Sequence, residues 1–179
     1  MPGPEWFWMS NWNNRFTLHF QTVLIQGDGV TALVNTGSAH DLGPMIHYHT
    51  THAHPHDARW NSIPQDVLVH LVTDAWDRVR LLENEDKIAP GLRTWWAGRR
   101  HRATIAVEVD TQVGTVVILD AFFYYETVED RRLHGINENM YEDVAAYERV
   151  RKADHRLPLY DPKGFQRYPN GVITPQAKG

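Results

Sequence analysis

Short apolar stretches divided by turn residues fill the first two thirds of the chain. Residues 16–26 mix β-branched and aromatic side chains with polar ones, and a Gly-Asp-Gly turn at 27–29 joins them to an apolar partner at 30–34. This pattern predicts a β-hairpin. Turn signals separate five later apolar stretches, at 67–72, 79–82, 92–97, 105–109 and 115–119. The rhythm predicts a sheet-rich region from about residue 65 to about residue 125.

The apolar period changes in the last third of the chain. Asn139 and Glu142 have the spacing of a capping box, and apolar residues then recur every three or four positions as far as residue 154: Met140, Val144, Tyr147 and Val150. These features predict an amphipathic helix of about four turns. Pro158 closes the helical region, and 157–159 are predicted to form a last short strand.

Length and charge narrow the class of protein. The chain has 179 residues, and its 18 basic and 22 acidic side chains give a formal charge of −4. We expect one domain over 1–179, with irregular tails at 1–15 and 174–179. Mild acidity argues against nucleic acid or an anionic membrane as partner, and no apolar run is long enough to cross a bilayer. The amino terminus lacks the features of a secretion signal, so we expect a cytoplasmic protein. We also expect a small-molecule substrate, and a homodimer is left open.

Histidine is the anomaly of the composition. Six of the 11 histidines lie between positions 40 and 56, in a Pro-containing segment (38–64) predicted to be mostly loop, with a short strand at 45–49. The chain has no cysteine, so any metal must be bound by His, Asp or Glu. Four neighbouring side chains have suitable chemistry: His52, His54, His56 and Asp57. A metal site and a solvated histidine-rich loop are both open.

Other candidate groups stand at the ends of predicted strands. Asp120 follows an apolar strand, where a carboxylate must be paired, hydrogen-bonded or metal-bound; it either binds a metal or caps the next turn. Arg100 and His101 lie in a loop with two further arginines, which either clamps a carboxylate or phosphate or is a solvated turn. Tyr160 and Asp161 follow the last strand, a position where loops often carry functional groups.

Four motifs in order resemble those of the metallo-β-lactamase superfamily, in its N-acyl-homoserine-lactonase-like branch. Leu-Val-Asn-Thr-Gly at 33–37 is similar to the family's strand ending in Asp-Thr-Gly, and Ile-Ala-Pro-Gly-Leu at 88–92 to its later turn. Residues 115–121 resemble the strand ending in Gly-Asp-Ala. Residues 157–162, with Arg-Tyr-Pro-Asn-Gly-Val at 167–172, resemble the terminal motif. The resemblance implies an α/β fold, an αββα sandwich of mixed sheets, here shortened and with fewer helices.

The ligand positions of this chain differ from the family pattern. Arg99 and Arg100 stand where the family has Gly-His, with His101 one place later, and Tyr160 replaces the last histidine ligand. Of the later metal ligands, Asp120 is retained. Arginine has no lone pair to donate to a metal. A complete two-metal site of the family type is therefore not expected.

The family signature His-x-His-x-Asp-His has a rearranged counterpart, His-x-His-x-His-Asp, at 52–57. The stretch between Gly37 and Thr51 is too short for the helix and strand that the family inserts there. Either the chain lost this insert and the histidines form a rearranged site, or the signature was lost with it and residues 55–60 belong to the stretch beyond. We slightly favour the second as ancestry, and either leaves metal binding open.

The resemblance implies a metal-dependent hydrolase of the lactonase or esterase type. Zinc or another divalent transition metal, as one or two ions, would be bound by His52 and His54, with His56 or Asp57 and with Asp120. The metal would lower the pKa of a bound water, which would attack an ester or lactone carbonyl. Asp57 and Tyr160 are the catalytic candidates.

Substrate binding is assigned to the loop that follows the apolar stretch at 92–97. Arg100 and His101 are the candidates, and Tyr160 or Arg100 would stabilise the oxyanion. The alternatives are a non-catalytic scaffold that binds a ligand or partner, with the arginines replacing the metal charge, and a metal-sequestering loop on an inert domain.

Overall fold

The computed structural model contains seven strands within the residues that it describes, namely 7, 9–17, 19, 21–27, 29–35, 69–70, 73–98, 104–119, 121–135, 137 and 139–173. The chain divides into two units, one formed by residues 1–35 and 82–179 and the other by 36–81. All seven strands lie in the first unit. The extent of the domain and of its tails stays a prediction, although Phe7, within the expected amino-terminal tail, is buried.

The described residues of the first unit form two sheets. Strands β1 (Val23–Gly27) and β2 (Val30–Val34) form an antiparallel hairpin with Leu24 opposite Leu33. The second sheet has five strands in the order of the chain: β3 (Glu85–Ala89), β4 (Leu92–Trp96), β5 (Ile105–Thr111), β6 (Gly114–Leu119) and β7 (His155–Pro158). Neighbours are antiparallel except β6 and β7, which are parallel.

Among the described residues after β6 there are three helices: α1 (Tyr125–Glu129), α2 (Met140–Val150) and α3 (Lys163–Arg167). Asn139 caps α2, because its side chain accepts the backbone N–H of Tyr141 at 3.1 Å and of Glu142 at 3.5 Å. Helix α2 confirms the predicted helix, but it ends at Val150 and has 11 residues, fewer than four turns. The helices α1 and α3 are too short to show an apolar period in the sequence.

The five-stranded sheet is covered on both faces. Trp95, Val117 and Leu119 on one face pack with α2. Val116 and Ile118 on the other face pack with the β1–β2 hairpin. Successive side chains of β6 therefore serve the two cores in turn, as the period of a strand requires. These layers confirm an α/β fold with mixed sheets and few helices, in the shortened form that was predicted.

Two predicted strands are wrong. Val69 and His70 are helical, since their carbonyls accept the N–H groups of Thr73 and Asp74, both at 3.0 Å. Residues 79–82 follow a 3-10 helix (Trp76–Arg78) and form no strand. Short apolar runs do not distinguish a strand from a helical turn, because so few residues do not show a period.

The hairpin and the edge strand also differ from prediction. Strand β1 begins at Val23, not at residue 16, although the N–H groups of His19 and Gln21 bond to the carbonyls of Tyr160 and Leu159 at 2.9 and 3.1 Å. Strand β3 was not predicted, because its sequence Glu-Asp-Lys-Ile-Ala is mostly charged. Charged residues are common on edge strands, where they hinder pairing with other chains.

Candidate active-site edge of the sheet

Three strands of the five-stranded sheet end at one edge. Trp96 pairs with Ile105, Ala106 with Leu119, and Leu119 with Pro158, so the ends of β4, β6 and β7 lie level with one another. We call this the carboxyl-end edge and define it by the described residues that follow these strands: 97–98, 121–123 and 159–161. Loops that leave one edge of a sheet are a common place for functional groups.

Most of the predicted site residues lie outside the described part of the chain. These are His52, His54, His56, Asp57, Arg100, His101 and Asp120, and their roles stay predictions. Leu119 and Ala121, which flank Asp120 in the sequence, are both buried at the carboxyl-end edge. Of the candidate groups named from the sequence, Tyr160 and its neighbour Asp161 lie within the described part.

Tyr160 is the second residue after the end of β7. Its backbone carbonyl accepts the N–H of His19 at 2.9 Å. Its half-buried ring lies edge-on to that of Phe123, with 5.1 Å between the ring centroids. Such aromatic pairs hold a ring in a defined orientation. The position of Tyr160 is therefore set by its backbone and by its ring.

Asp161 is almost wholly buried at the same edge. Its Oδ2 accepts the backbone N–H of Tyr125 and its Oδ1 that of Lys163, both at 2.8 Å. Its carbonyl accepts the side-chain amide of Gln21 at 2.8 Å. Both carboxylate oxygens thus serve the first turns of α1 and α3. Asp161 is a structural acid that joins three segments of chain.

His134 is fully buried and lies next to Ala121. Its Nε2 lies 2.5 Å from the backbone carbonyl of Ala121. A carbonyl can only accept, so Nε2 carries the proton. Its ring is edge-on to Phe123, with 4.6 Å between centroids. Sequence reasoning missed this histidine, because it stands alone in an irregular segment.

A second buried acid lies under the edge. Asp143, in the first turn of α2, is fully buried and accepts a hydrogen bond from the side-chain amide of Asn137. The hydroxyl of Tyr147 lies 3.5 Å from the same carboxylate oxygen. A buried carboxylate needs such partners, since an isolated charge in a core is costly.

Gly98 brings the chain after β4 against α2. Its φ is +89°, and a Cβ there would lie 3.0 Å from the carbonyl carbon and oxygen of Glu142. The left-handed backbone and the close approach both favour glycine. Gly98 therefore allows the chain after β4 to pass close to the first turn of α2.

The two tyrosines at the start of α1, Tyr124 just before the helix and Tyr125 in it, are not acid–base candidates. Burial raises the pKa of Tyr124 well above its ordinary value, and its hydroxyl donates to the carbonyl of Thr17 at 2.7 Å. Burial likewise raises the pKa of Tyr125, whose ring lies under the guanidinium of Arg167 at 3.6 Å. Both phenols stay protonated at neutral pH.

The described residues at this edge offer few free metal donors. No group of three or more His, Asp or Glu suited to a metal occurs within the described ranges. Both carboxylate oxygens of Asp161 and the Nε2 of His134 are already engaged by backbone groups. A phenol such as Tyr160 is not among the usual zinc donors. A metal at this edge needs donors from residues beyond the described part.

A shallow groove of about 400 Å³ lies elsewhere, over β3 and β4. Arg93 there donates to Glu108 and to Asp110, and these hydrogen bonds, the one to Asp110 first, raise its pKa above the ordinary value. Glu108 also accepts the indole N–H of Trp95 at 2.9 Å. Arg149 lies over the Trp95 ring at 4.2 Å and pairs with a carboxylate of β3. The charges of this groove are mutually compensated, which indicates a structural network.

Comparison with known proteins gives structural matches alone. No protein-family model and no curated protein matches the chain. A quorum-quenching N-acyl homoserine lactone lactonase matches with a TM-score of 0.43 and 16% identity, over 49% of this chain and 39% of that one. An N-acyl homoserine lactone hydrolase with N-hexanoyl-L-homoserine bound at its catalytic metal center matches with a TM-score of 0.43 and 14% identity, over 55% and 40%.

The chain thus spans about two fifths of the length of these two structures. Partial similarity at this TM-score and identity carries no argument about activity, substrate or metal. No helix in the described segments is long and apolar enough to cross a membrane.

Proposed function

We propose that this chain is a metal-dependent hydrolase that acts on an ester or lactone, with its site at the carboxyl-end edge. The observation that carries the proposal is the register of β4 to β7. This register places Tyr160 at the same edge as the end of β6. Strand β6 ends at Leu119, the residue before Asp120 in the sequence. The lactonase-like chemistry comes from the sequence resemblance and not from the structural similarities.

The proposed metal donors are His52 and His54, with His56 or Asp57 and with Asp120. A divalent transition metal such as zinc would supply a bound water of lowered pKa. Asp57 would accept a proton, and the Tyr160 hydroxyl would donate a hydrogen bond to the carbonyl oxygen of the substrate.

Substrate orientation is assigned to the loop after β4. Arg100 and His101 would bind polar groups of the substrate, since a guanidinium donates two parallel hydrogen bonds to a carboxylate.

A second candidate function is a non-catalytic module that binds a ligand or a partner. The hydrogen bonds of Asp161 and His134 favour it, because these side chains bind backbone groups of the protein and are thereby engaged in holding the fold. In this case Arg99, Arg100 and Arg102 would replace the charge of a metal, and the edge would bind an anionic group.

Metal analysis of untagged protein distinguishes the two functions. For a hydrolase we expect stoichiometric zinc, iron or manganese that is lost in the double variant His52→Ala/His54→Ala and kept in His70→Ala, a change of an exposed histidine. The rate of hydrolysis of γ-lactones and simple esters, measured by the release of protons, should fall in the variant that has lost the metal. Metal-free protein whose melting temperature zinc does not raise would contradict the hydrolase and favour the binding module.

A further inference from the structure

We propose that His134 is a positioning residue of the carboxyl-end edge, which orders the backbone after β6 and supports the ring against which Tyr160 packs. This inference deepens the proposed function and rests on it for its link to activity. The contacts themselves belong to the described fold.

The first contact fixes the backbone. The imidazole Nε2 donates to the carbonyl of Ala121 at 2.5 Å, and both residues are fully buried. Ala121 lies between the end of β6 and the start of α1, so its carbonyl is outside the regular pairing of either element. A buried carbonyl of this kind needs a donor. His134 supplies it from a segment 13 residues further along the chain.

The second contact is a row of three rings. Phe123 lies between His134 and Tyr160, with centroid distances of 4.6 and 5.1 Å. Both contacts are edge-to-face, with interplanar angles of 71° and 77°. Because buried rings pack closely, a displacement of the imidazole moves Phe123 and with it the support of Tyr160.

The two contacts converge on the proposed site from two sides. One reaches the residue that follows Asp120, and the other reaches Tyr160 through a single ring. Residues that orient the ligands of a metal or a substrate change binding affinity and reaction rate, although they contact neither the metal nor the substrate. If His134 only filled space in the core, its hydrogen bond from Nε2 would make no difference to the edge.

Three substitutions separate the hydrogen bond from the shape. His134→Gln places an amide N–H near the position of Nε2, so it keeps the donor. His134→Phe keeps a flat ring and removes the donor. His134→Asn keeps a polar amide, but its side chain is too short to reach the carbonyl. This variant replaces His134→Phe in the comparison if the Phe variant does not fold. Val116→Ala, which removes a buried side chain from within β6, is the control for a general loss of core packing.

Hydrogen exchange of the metal-free protein tests the positioning role by itself. We expect the amides of residues 121–124 to exchange about tenfold faster in His134→Phe and His134→Asn, the change expected for the loss of one buried hydrogen bond. His134→Gln should stay within about threefold of the wild type on the same grounds. Exchange in the Phe and Asn variants equal to that of Val116→Ala at matched stability would overturn the proposal.

Kinetics then tests the link to function. In a wild-type protein that hydrolyses lactones, kcat/KM should fall by about 10- to 100-fold in His134→Phe and recover in His134→Gln. Unchanged kcat/KM in His134→Phe would overturn the functional role. A wild-type protein without metal or activity refutes the proposed hydrolase, and the exchange comparison still decides whether His134 orders this edge.

Discussion

The carboxylate of Asp161 accepts the backbone N–H of Tyr125 at 2.8 Å, across 36 residues of sequence. With the N–H of Lys163 on its other oxygen, the side chain ties the end of β7 to the starts of α1 and α3. The position of Tyr160, its neighbour in the chain, therefore depends on a contact that the order of residues does not reveal.

Replacing Asp161 by alanine removes the acceptor of two helix-start amides. We expect Asp161→Ala to lower the free energy of unfolding by about 2–4 kcal/mol, since each cap or buried hydrogen bond contributes about 1–2 kcal/mol. Urea denaturation followed by tryptophan fluorescence measures the loss. Asp130→Ala, which changes an exposed acid just after α1, should cost less than about 0.5 kcal/mol. Equal losses in both variants would contradict the linking role of Asp161.

Two glycine variants separate backbone strain from steric contact. Gly98 and Gly29 both have positive φ, +89° and +77°, but a Cβ at Gly29 meets nothing within 4 Å. We expect Gly29→Ala to cost about 1 kcal/mol from strain alone. Gly98→Ala should cost a further 1–3 kcal/mol or so, because the new methyl presses on the first turn of α2. Thermal and urea denaturation measure both, and similar costs would show that the close approach of Gly98 to α2 does not matter.

The pairing of Glu129 with Arg167 predicts a pH dependence. Arg167 donates to both oxygens of Glu129 at 2.6 and 2.7 Å, and this hydrogen bonding lowers the pKa of Glu129 below its ordinary value of 4.5. A depressed acid pKa stabilises the fold above the unfolded-state value, and the stabilisation is lost as the pH falls through the folded-state value.

The difference in unfolding free energy between wild type and Glu129→Gln should therefore be largest near pH 7 and should shrink as the pH falls below about 4.5. Because Glu129 is partly exposed, the difference at pH 7 should be about 1 kcal/mol or less. Denaturation at several pH values checks this, with Glu83→Gln, a change of an exposed acid, as the control. A difference that is constant from pH 7 to pH 3 would contradict the prediction.

The hydroxyl of Tyr160 can be tested without loss of its ring. Tyr160→Phe keeps the edge-on packing with Phe123 and removes one hydrogen-bond donor. Under the proposed function we expect kcat/KM for lactone hydrolysis to fall by about 10²–10³-fold, the effect of losing an oxyanion donor. Tyr168→Phe, which removes a hydroxyl 3.2 Å from His155, is the control and should retain activity. Full activity of Tyr160→Phe would remove Tyr160 from the catalytic candidates.

Regular alternation and strong turn signals account for the elements that were predicted. β2 has the bounds expected from sequence, and β4, β5, β6 and α2 were placed within a few residues. These elements bury one face or both, so their apolar period is clear. β3 and α1 were missed, because a charged edge strand and a five-residue helix carry no such period.

The candidate site was predictable in part. Tyr160 was predicted from its place after the last strand, and its catalytic role stays a prediction. His134 and Asp161 owe their contacts to Ala121 and Tyr125, each distant in sequence. A single histidine or aspartate in an irregular segment gives no local sign of such partners, because its role depends on which backbone groups the fold leaves without an acceptor or a donor.

The sequence by itself determined the hairpin, most strands of the larger sheet and the main helix, because apolar periodicity and turn residues act over a few neighbouring positions. The class of fold was expected from the resemblance of its motifs and not from that periodicity. The tertiary structure alone decided which strand ends lie level, which acid caps two helices, and which imidazole supports the edge beside Tyr160. Those outcomes depend on hydrogen bonds and ring contacts between residues far apart in the chain, which form only once the two faces of the five-stranded sheet are packed.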